Sequence, residues 1–150
     1  MFHGEFESTL DDKGRVILPA KLRERIDEQR DGAGFYVTYG PDGCIELCTP
    51  AVWNRRVEVL RQAPFAREKA RRFQRTMSSL TEPAEVDKQG RLRLSPNLIN
   101  EAKIGKLVTL VGNFDIIEVW SRERWAEFKA QALQEYKNDA EQLFGPATGG

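Results

Sequence analysis

Thr9-Leu10-Asp11-Asp12-Lys13-Gly14-Arg15-Val16-Ile17-Leu18-Pro19 is echoed later in the same chain by Glu85-Val86-Asp87-Lys88-Gln89-Gly90-Arg91-Leu92-Arg93-Leu94-Ser95. Asp11 falls on Asp87, Gly14 on Gly90 and Arg15 on Arg91, an offset of 76 residues. Each copy reads acid, two polar residues, glycine, arginine, then an alternating apolar strand. Glycine at the tip permits the positive φ that a tight turn needs. The arginine that closes each turn therefore leaves a rigid bend rather than a flexible loop. The chain has no other such concentration of chemistry, so these two turns carry the functional reading.

Outward from the first copy, Phe6, Ser8 and Leu10 alternate as a strand, Val16-Ile17-Leu18 resumes it and Pro19 ends it. Ala20 to Ile26 predicts a short helix with Leu22 and Ile26 on one face, and Asp31-Gly32-Ala33-Gly34 breaks it. Phe35–Tyr39 and Cys44–Cys48 read as a hairpin around Gly40-Pro41-Asp42-Gly43. Thr49-Pro50 then opens a helix with Trp53, Val57 and Leu60 on one side. The second half repeats this order. Leu92 and Leu94 are followed by Pro96 and a short Leu98-Ile99 helix. Leu107–Val111 and Ile116–Trp120 form strands around a turn placed at Gly112-Asn113, and Ser121 caps a helix with Trp125, Phe128 and Leu133.

Gly40 with Gly112, Glu46 with Glu118 and Trp53 with Trp125 are separated by 72 rather than 76 residues. One four-residue deletion after the short helix reconciles the offsets. The chain is thus a tandem duplication, divided as repeat 1 over 5–48, a helical connector over 49–80, repeat 2 over 81–120, a C-terminal helix over 121–144 and a flexible tail over 145–150. Each half is too small to bury much surface alone. The expected solution is a mainly β, α+β fold in which strands of the two repeats interleave about a pseudo-twofold axis. The connector from Pro64 to Thr81 is basic, with Arg67, Lys69, Arg71, Arg72 and Arg75 against Glu68. Its Phe65, Phe73 and Met77 imply that one side is covered.

The chain has 150 residues, 23 basic and 23 acidic, and a net charge of zero. A nucleic-acid partner must therefore be met by a local basic surface rather than by a polycation. No apolar run is long enough to span a membrane, and Met1–Glu5 has no signal-peptide pattern. Cys44 and Cys48, four apart on one strand, are roughly 13 Å apart, beyond disulfide reach. They read as reduced, buried thiols of a cytoplasmic protein. His3 is the lone histidine and lies at the chain start, a poor position for a general base. No nucleophile elbow, phosphate loop, dinucleotide fingerprint or standard zinc spacing occurs. No enzyme, metal or cofactor is expected. Trp53, Trp120 and Trp125 are expected as core anchors for the helices.

An arginine on a rigid turn suits bidentate contact with guanine O6 and N7, while lysine neutralises phosphate. The candidate DNA-binding residues are therefore Lys13, Arg15, Lys88 and Arg91, with Asp11, Gly14, Asp87 and Gly90 orienting the turns. The same spacing also fits a purely structural Asp11–Arg15 and Asp87–Arg91 brace. The two readings are compatible.

Met1–Glu5, Leu10–Arg15 continuing to Leu18-Pro19-Ala20-Lys21, and Gly112…Ile117-Glu118-Val119-Trp120 resemble the MraZ family of bacterial regulators over about residues 1 to 143. The resemblance implies two SpoVT/AbrB-like repeats packed as one swapped-hairpin β-barrel of the AbrB/MazE kind. It further implies a ring-shaped homo-oligomer and a nucleoid-associated regulator, usually a repressor, of the division and cell-wall gene cluster. Such a regulator binds double-stranded DNA at direct repeats in its own promoter, with no small-molecule substrate and no membrane. The family roles fall on Arg15 with Lys13 and on Arg91 with Lys88. The second copy departs at Arg93 and Ser95-Pro96, where the first has Ile17 and Pro19-Ala20, so contact by the second turn is the weaker expectation. An AbrB-fold antitoxin is the alternative, but it would carry one copy and a long toxin-wrapping tail.

Overall fold

Residues 1–64 and 66–145 are described by the computed structural model. Phe65 and residues 146–150 of the tail expected over 145–150 lie outside them. Fourteen elements follow in order. Strands β1 (Phe2–Thr9) and β2 (Arg15–Ile17) flank the first turn. Helices α1 (Ala20–Arg23) and α2 (Glu28–Asp31) lead to the hairpin β3 (Phe35–Tyr39) and β4 (Ile45–Cys48). Helices α3 (Pro50–Gln62) and α4 (Glu68–Ser79) form the connector. The second repeat contains β5 (Glu82–Ala84), β6 (Arg91–Arg93), α5 (Pro96–Glu101), β7 (Leu107–Phe114) and β8 (Ile116–Ser121), and α6 (Arg122–Phe144) ends the described chain.

The strands build a mixed α+β fold in which all pairings of the named strands are antiparallel. One sheet has six strands in the order β1-β7-β8-β4-β3-β5, and β2 pairs with β6 in a separate ribbon. Exchanging the repeats returns the same six-stranded order read backwards. The exchange axis passes between β4 and β8, where Glu46 faces its own counterpart Glu118, with Ile45 on Val119 and Leu47 on Ile117. It passes through the ribbon at Val16 facing Leu92. Each repeat thus lends its first strand to the other, β1 to β7 and β5 to β3.

Among the described residues, the strand pairings do not close into a single barrel. The backbone bridges among those residues between the ribbon and the chain leading into it are isolated ones, Leu10 to Val16 and Val86 to Leu92, and the Ser8 hydroxyl donates to the Ile17 carbonyl at 3.4 Å. The cause is local: each turn bends the chain after one bridge, and β2 and β6 are three residues long. The space between sheet and ribbon is filled by Val16, Leu18, Leu22, Leu92, Leu94 and Leu98 against Val37, Ile45, Leu110 and Ile117, all at most 1% exposed. The core consequently belongs to neither repeat alone.

Several local expectations are revised. The helix expected over Ala20–Ile26 ends at Arg23, because the Asp27 carboxylate caps a new helix by accepting from the N–H groups of Gln29 (3.0 Å) and Arg30 (3.5 Å). That extra helix lies in the stretch by which repeat 1 exceeds repeat 2. The second hairpin turns at Phe114-Asp115, with Phe114 at φ 57°, and not at Gly112-Asn113. Gly112 sits inside β7 opposite Gly4, where a Cβ would come within 2.4 Å of the His3 nitrogen. His3 is therefore a paired residue of β1, facing Asn113.

Of the three tryptophans only Trp120 is buried. Trp53 is half-buried and stacks on Tyr36, with centroids 5.4 Å apart. Trp125, also half-buried, lies against Trp120 and Phe128 and donates from Nε1 to the Glu5 carboxylate. Thr49 and Ser121 cap α3 and α6 as expected.

Candidate nucleic-acid interface

The two turns are built by the same hydrogen bonds. In the first, Asp11 Oδ1 accepts from the backbone N–H groups of Lys13 and Arg15, each at 2.9 Å. Asp11 Oδ2 accepts from Arg15 Nε at 2.7 Å. The Gly14 N–H closes the bend on the Asp11 carbonyl at 3.0 Å, with Gly14 at φ 75°. In the second, Asp87 accepts from the N–H groups of Gln89 and Arg91 at 2.9 Å and from Arg91 Nε at 2.8 Å, and Gly90 has φ 80°. A side chain at either glycine would need a backbone angle that L-residues rarely adopt.

The turns are also locked to each other. The Gly14 carbonyl accepts from the Leu94 N–H, and the Gly90 carbonyl accepts from the Leu18 N–H, both at 2.8 Å. Each turn is thereby fastened to the strand of the other repeat.

This geometry satisfies the structural-brace reading while leaving the arginines usable. Only the Nε edge of Arg15 and Arg91 is spent on aspartate, and their side chains are 27% and 30% exposed. The terminal Nη groups extend beyond the brace, and Arg91 Nη2 donates to the Gln89 amide oxygen at 3.4 Å. Fixing Nε removes rotamer freedom in advance, which lowers the entropic cost of any later contact.

Both aspartates are held below their ordinary value of 3.8, chiefly by the backbone N–H of the closing arginine, with its side chain adding to this. Folding therefore favours the ionised carboxylates. The stability they contribute is complete above the ordinary value and is lost as pH falls through the lowered one. Urea titrations between about pH 5 and pH 2 should show a falling midpoint, and Asp11→Asn with Asp87→Asn should flatten that acid limb. An unchanged limb in the double variant would assign acid sensitivity elsewhere.

The register of the ribbon decides what shares a surface. Arg15 faces Arg93, and Ile17 faces Arg91. Val16 and Leu92 point into the core, so the alternation of a strand turns Arg15, Ile17, Arg91 and Arg93 outward together. Lys13 and Lys88 are exposed on the turns at opposite ends of this antiparallel ribbon. The structure thus brings Arg15 and Arg91 together on one ribbon with Lys13 and Lys88 at its ends, and adds Arg93. Sequence reasoning treated Arg93 as a departure from the motif. Only its spacing of two from Arg91 could have signalled that they share a face.

Elsewhere, Cys44 Sγ and the carboxylates of Glu46 and Glu118 lie within 4.8 Å of one another, the group among the described residues that could hold a metal ion. Its members have other partners. Arg56 Nη1 donates to Glu46 at 2.6 Å, and Trp120 Nε1 donates to Glu118 at 3.1 Å. Burial pushes the Cys44 thiol well up and the Cys48 thiol up to about 11, so both stay protonated. Both are free and buried.

Comparison with known proteins matches the chain, over residues 1–76 and again over 77–145, to the family described as "MraZ protein, putative antitoxin-like". The chain belongs to the MraZ family. Relatives named "Transcriptional regulator MraZ" include those of Heliobacterium modesticaldum, 40% identical, and Natranaerobius thermophilus, 39% identical. That of Moorella thermoacetica is 38% identical; each alignment spans 143 residues, 95% of this chain and 96% of the relative. The two MraZ matches meet between Thr76 and Met77, within α4, so each holds one Asp-x-x-x-Arg turn. No helix among the described residues is long and apolar enough to cross a membrane.

Proposed function

We propose that this MraZ-family chain is a sequence-specific DNA-binding transcriptional regulator, acting as a repressor on direct repeats in its own promoter within the division and cell-wall gene cluster. The observation that carries the reading is the ribbon: two equally braced turns and one face with Arg15, Arg91 and Arg93. A two-stranded ribbon fits the major groove, where arginine reads guanine and flanking lysines meet phosphate. Arg15 and Arg91 contact base edges, and Lys13 and Lys88 contact the backbone. Asp11, Gly14, Asp87 and Gly90 hold the turns. The protein works in the cytoplasm at the nucleoid.

Assembly into a ring of copies belongs to the same proposal. Neither α3, α4 nor α6 has a fully buried residue. Helix α6 is roughly 34 Å long, and beyond its first turns Leu133, Tyr136 and Leu143 are 59%, 71% and 79% exposed. Between α3 and α4 lies an open groove of about 450 Å³ whose lining includes Val52, Val59, Leu60, Phe73 and Met77. Charge is complementary: α3 and α4 carry seven Arg or Lys against two Glu, whereas α6 from Gln131 onward has Glu135, Asp139 and Glu141 against Lys137. Helix α6 of one copy seated in this groove of the next is a head-to-tail contact, and such contacts close into rings.

Anisotropy of labelled DNA from upstream of the protein's own gene, titrated across salt beside a scrambled duplex, tests the DNA reading. Selective, salt-sensitive binding is expected; equal weak binding of both duplexes would refute it. Native mass measurement tests assembly. The double variant Leu133→Asp with Tyr136→Asp should reduce the oligomer to monomer, and a native protein that is itself monomeric would end the ring proposal.

A further inference from the structure

The ribbon has a symmetric frame, but its outward chemistry is not symmetric. Exchange of the repeats places Arg15 on Arg91 and Ile17 on Arg93. The buried members Val16 and Leu92 are both apolar and both 0% exposed. The paired turn hydrogen bonds agree to within 0.1 Å. What differs is on the surface. Ile17 presents an aliphatic side chain, 53% exposed, where its counterpart presents a guanidinium. Asp12 and Lys13 similarly stand where the second turn has Lys88 and Gln89.

A lone exposed isoleucine is ordinary on a protein surface. This one lies in a row of arginines, directly across from Arg91, where cross-strand Cβ atoms are about 4.5–5.5 Å apart. The fold accommodates a charged residue at the equivalent site, so packing does not demand an apolar one. In a major groove the two side chains have different complements. Guanidinium fits the guanine O6/N7 edge, and an aliphatic group fits the thymine 5-methyl.

We propose that Ile17 and Arg93 give the ribbon a direction on DNA: Ile17 packs on a thymine methyl, and Arg93, its twofold counterpart, reads a guanine. This rests on the DNA-binding reading above. A ribbon with two equal halves would read an inverted repeat, since protein symmetry is mirrored in the site. The ribbon of this chain reads an oriented element instead. Copies arranged head to tail then all read in one sense, and the sites they match recur in one orientation.

The test uses the upstream region of the protein's own gene, amplified once with dTTP and once with dUTP, so that the duplexes differ only in the 5-methyl groups. Native protein should bind the thymine duplex about three- to tenfold more tightly. Ile17→Ala should bind both duplexes alike, and thermal melting should show it folded, as expected for a half-exposed position. Ile17→Arg, used to select from a randomised duplex pool, should recover inverted repeats where the native protein recovers oriented elements. Equal affinity of native protein for the two duplexes would overturn the proposal. So would a thymine preference that persists in Ile17→Ala, or inverted repeats selected by the native protein. Failure of the native protein to bind either duplex at low salt is a separate result, and it would bring down the DNA-binding reading itself.

Discussion

Replacing Arg15 and Arg91 together by alanine should abolish selective DNA binding while leaving the protein folded. Each guanidinium lost from a base edge costs about 1–3 kcal/mol, so the pair costs about 2–6 kcal/mol, equivalent to about 30-fold to more than 10,000-fold in affinity. The turns should survive, because the bonds from the backbone N–H groups at positions 13, 15, 89 and 91 do not depend on those side chains. The cross-links from Leu94 and Leu18 to the tip carbonyls remain as well. Lys13→Ala and Lys88→Ala form the contrasting pair. They should weaken all sequences alike and reduce the salt slope by about 1 per engaged lysine. Anisotropy titration across salt, with urea midpoints measured on the same preparations, separates the cases. A collapse of the urea midpoint in the arginine variant would mean that the brace is the arginines' main work.

Leu92→Ala should be the most damaging single substitution of the ribbon. Leu92 is 0% exposed and faces Val16 on the axis that relates the repeats. It packs in the cluster joining the ribbon to the six-stranded sheet. The ribbon is only three residue pairs long, so it has little means of closing around a void. The expected cost is about 2–5 kcal/mol, seen as a lower urea midpoint at unchanged slope and fixed protein concentration. A loss below about 1 kcal/mol would show that the site collapses readily, contrary to the rigidity argued for the interface. Because the same residue holds both turns level, the variant should also bind DNA less well than its remaining folded fraction predicts.

The turns were legible because they are made locally. An aspartate that reaches N–H groups two and four residues ahead, closed by a glycine with positive φ, needs nothing beyond five consecutive residues. The helix caps at Thr49 and Ser121 were readable for the same reason. Errors arose where a local signal met a distant partner. Gly112 looked like a turn residue, but it serves the approach of β1, more than a hundred residues earlier. Trp125 looked like a core anchor, yet α6 meets the body mainly through its first turns, held by Glu5 through Trp125 and Lys129. Leu133 and Tyr136 then face outward.

The duplication, the two Asp-x-x-x-Arg turns and the offsets that relate the halves are all visible along the chain. The pairing of β2 of one repeat with β6 of the other exists only in the folded chain. That pairing turns Arg93 outward beside Arg15 and sets Ile17 against Arg91. The division has a physical cause. Turn chemistry is set by hydrogen bonds that span a few residues, whereas the partner and register of a strand depend on which distant apolar face buries it most completely.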